Sequence, residues 1–156
     1  MERMGYRNVA LVYQKAGEGR LLSRRGDGVW SLDLFPLTVL AYMALKTYDY
    51  PKDDAQNPYV PARYYAMGWR EIADGLGITR FDSALAEKYG DREMASRRES
   101  TAKSRISRAW ANLAERGLIR RLVPASLGDP AGYLLLLGDD EENANVTSEA
   151  MDVLGI

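Results

Sequence analysis

The chain of 156 residues carries 21 Lys+Arg against 22 Asp+Glu, with 46% apolar side chains and neither Cys nor His. Those two zeros exclude a Cys/His zinc site, a disulfide, a thiol nucleophile and a Ser-His-Asp triad. The proportions are those of one ordinary globular domain, able to bury a full core without covalent staples.

Val9-Ala-Leu-Val-Tyr13 is rich in strand formers, and Gly17-Glu-Gly19 is a turn signal before Leu21-Leu22. Gly26-Asp-Gly28 marks a second turn before Val29-Trp-Ser-Leu32. Residues 1–33 therefore read as an N-terminal β-hairpin or meander. Arg20, Arg24 and Arg25 flank its turns and are either phosphate contacts or plain solvated charges. Leu37, Leu40, Ala41, Ala44 and Leu45 recur at helical spacing behind Pro36, which suits a first turn. They predict a helix over about 34–48. Residues 51–66 hold three prolines and Tyr59, Tyr64 and Tyr65 and read as a loop. Its rings either stack on bases or pin the loop to the core.

Trp69-Arg-Glu-Ile-Ala-Asp-Gly-Leu-Gly77 predicts a short amphipathic helix with Gly77 as its left-handed cap. Asp82 can cap a further short helix over 83–89. The longest helix is expected over about 99–116, with Ala102, Ile106, Ala109, Trp110 and Leu113 as its apolar stripe and Gly117 as its end. Trp30, Trp69 and Trp110 are expected in the core. Residues 118–123 and 133–137 read as two strands of a hairpin around a Gly/Pro-bounded tip. Residues 139–156 are expected to be an acidic, mobile tail with a short helix near 148–154. Such a tail serves as solvation, as a phosphate mimic folded back on basic residues, or as a contact for a protein partner.

Near-neutrality hides a division of charge. Residues 92–121 hold nine bases and three acids, a net +6, whereas residues 129–156 hold seven acids and no base. A basic face with an acidic extension has this arithmetic, as does a solvated helix.

The order strand, helix, short helix, long basic helix, β-hairpin resembles a winged helix-turn-helix. Residues 69–77 resemble that superfamily's second helix, with small Ala73 allowing close crossing. Ser104-Arg-Ile-Ser-Arg-Ala-Trp-Ala-Asn-Leu-Ala-Glu-Arg-Gly-Leu-Ile119 resembles its recognition helix and exit. The pattern occurs among bacterial and phage regulators and replication initiators without selecting one family. The resemblance covers about residues 34–137, departing from it in the twenty-odd residues between Gly77 and Ser100. Either the turn holds an insert at about 78–98, or helix 82–89 is itself the reading element; the long basic helix is favoured.

The resemblance implies an α+β winged helix over residues 1–138, with an N-terminal β-hairpin extension and a C-terminal β-hairpin wing, followed by the tail. It implies a cytoplasmic, non-enzymatic protein that binds double-stranded DNA as a homodimer, without a cofactor. A sequence-specific transcriptional regulator is the expected role. A replication initiator or accessory protein, or a winged helix that binds protein, is the alternative. Major-groove reading by a helix assigns bases to Ser104, Arg105, Ser107 and Arg108. It assigns phosphates to Arg97, Arg98, Ser100, Thr101, Lys103, Arg120 and Arg121; the last two start the wing strand and alternate faces, so one of them points to DNA and the other to solvent or the core edge. The tip, residues 124–132, has no base and contains Asp129, so a minor-groove arginine is not expected there. No phosphate-binding glycine motif occurs, and the carboxylate clusters Asp53-Asp54 and 139–142 lie in predicted loops. No apolar run is long enough to span a bilayer, and no apolar leader follows Met1.

Overall fold

A computed structural model of the chain describes residues 4–80, 87–88 and 90–156. Among these residues the chain is α+β, with five helices and two small antiparallel sheets. In chain order they are α1 (Tyr6–Gly17), β1 (Leu22–Arg24), β2 (Trp30–Leu32), α2 (Leu34–Leu45), β3 (Tyr64–Tyr65), α3 (Gly68–Gly75), α4 (Asp91–Glu115), β4 (Ile119–Val123), β5 (Gly132–Leu135) and α5 (Asp140–Leu154). Strands β1 and β2 form a hairpin, and the other three form a sheet of order β3-β5-β4.

The expected first strand is instead helix α1. Its inward positions Asn8, Val12 and Lys15 follow helical spacing, but two of them are polar, which disguises the pattern. Their partners come from far along the chain. The Asn8 side-chain amide donates to Thr47 Oγ1 (3.0 Å) and the Tyr48 carbonyl (2.8 Å), and Lys15 Nζ donates to the Gly138 carbonyl (3.1 Å). The Asp49 carboxylate accepts the backbone N–H groups of Arg7 and Asn8, at 3.3 and 2.8 Å. Those N–H groups have no partner within the helix, and its positive end favours a carboxylate. Helix α2 is apolar all round because α1, α3 and α4 all pack on it. Buried Val39, Leu40 and Met43 join Val12, Ile72, Ile106, Leu113, Leu118 and Leu135 in the main core.

Local end signals work as the sequence suggests. Helix α3 closes with the Gly77 N–H on the Asp74 carbonyl and the Ile78 N–H on the Ala73 carbonyl. This is a Schellman ending that needs the positive φ of Gly77, 72°. Gly117 and Leu118 end α4 in the same way. Helix α4 starts earlier than expected, at Asp91, where Asp91 and Glu93 lie favourably in the first turn. The expected helix over 82–89 lies outside the described residues apart from Glu87 and Lys88. The loop over 51–66 yields the short strand β3, which pairs with β5.

Residues 139–156 are not a mobile tail. Asp139 caps α5 by accepting the Glu142 N–H at 2.8 Å, and Val146 and Ala150 are buried against Leu134, Tyr64, Leu122 and Leu136. Arg63, 1% exposed, ties the helix down. Its Nε donates to Asn8 Oδ1 (2.9 Å), and its guanidinium lies over the Tyr50 ring. Its Nη1 lacks a hydrogen-bond acceptor but stands 3.4 Å from Glu142 Oε2, so charge rather than a directed bond joins them. Trp30 is also corrected: it is 61% exposed on the outer face of the β1–β2 hairpin, whereas Trp69 and Trp110 pack against the core.

Candidate nucleic-acid interface

Helix α4 buries Met94, Ala102, Ile106, Ala109 and Leu113, packs Trp110 against the core and exposes most of its other residues. Ser100, Ser104 and Ser107 are exposed on it, with Arg97, Lys103, Arg105 and Arg108 around them. At 1.5 Å per residue its 25 residues span about 37 Å. Arg97 is drawn back by Glu93 at 2.9 Å. Arg98 is half-buried.

The outer residues fall on two flanks. Toward α2, Thr101, Arg105 and Arg108 line a groove of about 530 Å³ with Asp33, Phe35 and Pro36. The Arg105 guanidinium rests over the Phe35 ring at 4.2 Å, and Arg108 Nε points to the Ser104 carbonyl at 3.4 Å. Toward the β4–β5 hairpin, Lys103 and Ser107 line a second groove of about 460 Å³ with Trp69, Trp110, Arg121 and Tyr133. Trp110 and Tyr133 are in ring contact, with centroids 4.8 Å apart. Burial raises the Tyr133 phenol above its ordinary pKa, against the opposing pull of Arg121.

The expected residues therefore do not form one patch. Arg121 stands opposite Tyr133 in the sheet and joins the α4 side, whereas Arg120 pairs in register with Leu134 and faces α5. The alternation expected along β4 separates these neighbours, and of the two it is Arg121, not Arg120, that shares a surface with α4. The hairpin tip is a tight turn closed by reciprocal backbone bonds between Ser126 and Asp129, with Leu127 fully exposed. The basic and acidic segments lie across the sheet from each other. The face with Ile119, Arg121 and Leu135 meets the main core and α4, and the face with Leu122, Leu134 and Leu136 meets α5.

Four arginines outside these grooves are tied up in bonds within the fold. Arg116 reaches from the end of α4 to the β1–β2 hairpin, donating to the carbonyls of Leu22 (2.7 Å) and Arg20 (3.2 Å), to Ser23 Oγ (2.6 Å) and to Asn112 Oδ1 (2.6 Å). Asp33 Oδ2 lies 3.4 Å away. Arg20 returns a bond to the Arg116 carbonyl at 2.8 Å, satisfying the end of α4. Arg25 is spent on Asp27 within its own turn, and the Asp27 carboxyl lies below its ordinary pKa through the Val29 N–H and then Arg25. Arg70 bonds Glu99 and lies over Trp69, joining α3 to α4. Apart from Arg116–Asn112 and Arg25–Asp27, these arginine bonds join residues far apart in the chain, and no fixed spacing marks them.

Among the described residues no group of three or more carboxylates could hold a metal ion, and no helix is long and apolar enough to cross a membrane. No protein-family model matches the chain, and neither curated proteins nor solved structures yield a significant match.

Proposed function

We propose that the protein is a winged helix that binds double-stranded DNA through α4. The observation that carries this reading is the outer surface of α4. Lys103, Arg105 and Arg108 stand there among exposed serines, Arg121 joins from β4, and the acidic helix lies on the far side of the sheet. The order α2, β3, α3, α4, β4–β5, with β3 at the free edge of β5, supports the winged-helix architecture. A helix of about 10–12 Å diameter fits a major groove about 12 Å wide. Arg105 and Arg108 can bond guanine edges, Ser104 and Ser107 are short enough to let the backbone approach, and Arg97, Lys103 and Arg121 hold phosphates. A homodimer on a symmetric site, in transcriptional control or in replication, is the corresponding assembly.

The test is fluorescence anisotropy with a random-sequence duplex at two salt concentrations, for the wild type and Arg105→Ala/Arg108→Ala. Three cations on phosphates give a log–log salt slope of about −3 per monomer. The double substitution is expected to weaken binding at least tenfold. Absence of binding at low salt refutes DNA binding. Binding that is indifferent to the substitution removes α4 from the groove.

A further inference from the structure

We infer that the groove between α4 and the β4–β5 hairpin is a binding site for a small, planar aromatic anion. Its volume, about 460 Å³, lies within the range of small-molecule sites. Three rings line it: Trp69 from α3, Trp110 from α4 and Tyr133 from β5. Trp110 and Tyr133 stack on each other at a tilt of 35°, with centroids 4.8 Å apart, and the Trp110 N–H is directed inward to Met43 Sδ at 3.3 Å. Trp110 therefore offers the groove ring surface rather than a donor. A tilted aromatic pair with ring surface open to a groove takes a further ring by stacking or edge contact.

The polar groups are equally one-sided. Lys103 enters from α4 and Arg121 from β4, and neither forms an ion pair among the described residues. Ser107 adds a hydroxyl, and among the described residues no carboxylate lines the groove. An uncharged apolar occupant would leave two cations idle, and a cationic one would be repelled. A ring bearing a carboxylate, sulfonate or phosphate satisfies both halves, with the ring on Trp110 and Tyr133 and the anion between Lys103 and Arg121. The site does not depend on DNA binding. On the DNA reading, however, its occupant competes with phosphate for Lys103 and Arg121.

The experiment uses the full chain and no DNA. 2-Naphthoate is titrated while the three indole N–H resonances are followed by ¹H–¹⁵N NMR, with 2-naphthamide as the uncharged control. Saturable shifts of the Trp69 and Trp110 signals are expected, with the Trp30 signal, which does not line the groove, unmoved. Naphthamide should bind about tenfold more weakly or worse, the loss expected for one charge-assisted contact. Ala111→Phe, at an exposed helix position lining the groove, should abolish the shifts with the fold intact. Lys103→Ala/Arg121→Ala should erase the preference for the anion. Unsaturable or uniform shifts, equal binding of the amide, or binding that survives Ala111→Phe would overturn the assignment. These outcomes leave the DNA reading standing, and failure of the anisotropy test leaves this site standing.

Discussion

Replacing Arg116 with alanine should unmoor the N-terminal hairpin. The Arg116 side chain is 16% exposed and gives hydrogen bonds to Arg20, Leu22, Ser23 and Asn112, beside the Asp33 carboxylate. A hydrogen bond to a charged group contributes about 1.5–3 kcal/mol when buried. These bonds share one guanidinium and are not additive, and water can enter the space an alanine leaves. The expected loss is therefore about 2–4 kcal/mol, well below the sum of the separate bonds. For a chain of this size that is a fall in Tm of roughly 5–15 °C. Urea unfolding followed by far-ultraviolet circular dichroism measures it. Arg108→Ala, on the exposed face of the same helix, is the reference and should stay within about 0.5 kcal/mol of wild type. Arg116→Lys keeps the charge but not the planar fork, and should recover less than half the loss. If Arg116→Ala costs no more than Arg108→Ala, the hairpin is held by something other than this residue, and the reasoning fails.

Deleting residues 139–156 should destabilise the chain by about 3–5 kcal/mol, because Leu134 loses its cover and the buried Arg63 loses Glu142; an unchanged melting curve would restore the mobile tail. Gly5→Ala should cost about 3 kcal/mol or more, since a Cβ there lies 2.4 Å from the Leu45 carbonyl oxygen at a φ of 79°; wild-type stability in urea would contradict that packing. The Tyr65 phenol, whose Oη donates to the Gly68 carbonyl at 2.8 Å, is raised above its ordinary pKa first by burial and then by nearby Glu71. Burial likewise raises Tyr42 and Tyr64. A raised pKa means stability that is complete below the unfolded value of about 10 and lost as pH climbs through the folded one. The urea midpoint should therefore hold between pH 7 and 9 and fall above about 10. A flat profile to pH 11 would rule out this burial effect.

Features that depend on neighbours in the chain were legible in the sequence. The spacing in α2, α3 and α4 announced three helices, and Gly77 and Gly117 announced two of their ends, because periodicity and φ preference act over a few residues. The β4–β5 hairpin and the basic composition of α4 were equally plain. Asp139-Asp-Glu-Glu142 even carried a capping signature for α5, masked by its resemblance to a solvated acidic run.

Tertiary structure decided the rest. Helix α1 hides polar Asn8 and Lys15 on its inner face, which is stable only because Thr47, Tyr48, Arg63 and Gly138 supply partners from elsewhere. Arg116 and Arg121 have the same side chain and lie five residues apart. One is a clamp and the other stands at the edge of a groove. Arg120 and Arg121 differ only in which face of a sheet they occupy. The sequence determines how many charges the chain carries and on which local elements. Which of them remain on the surface is decided by where the folded backbone leaves carbonyls and carboxylates to receive them.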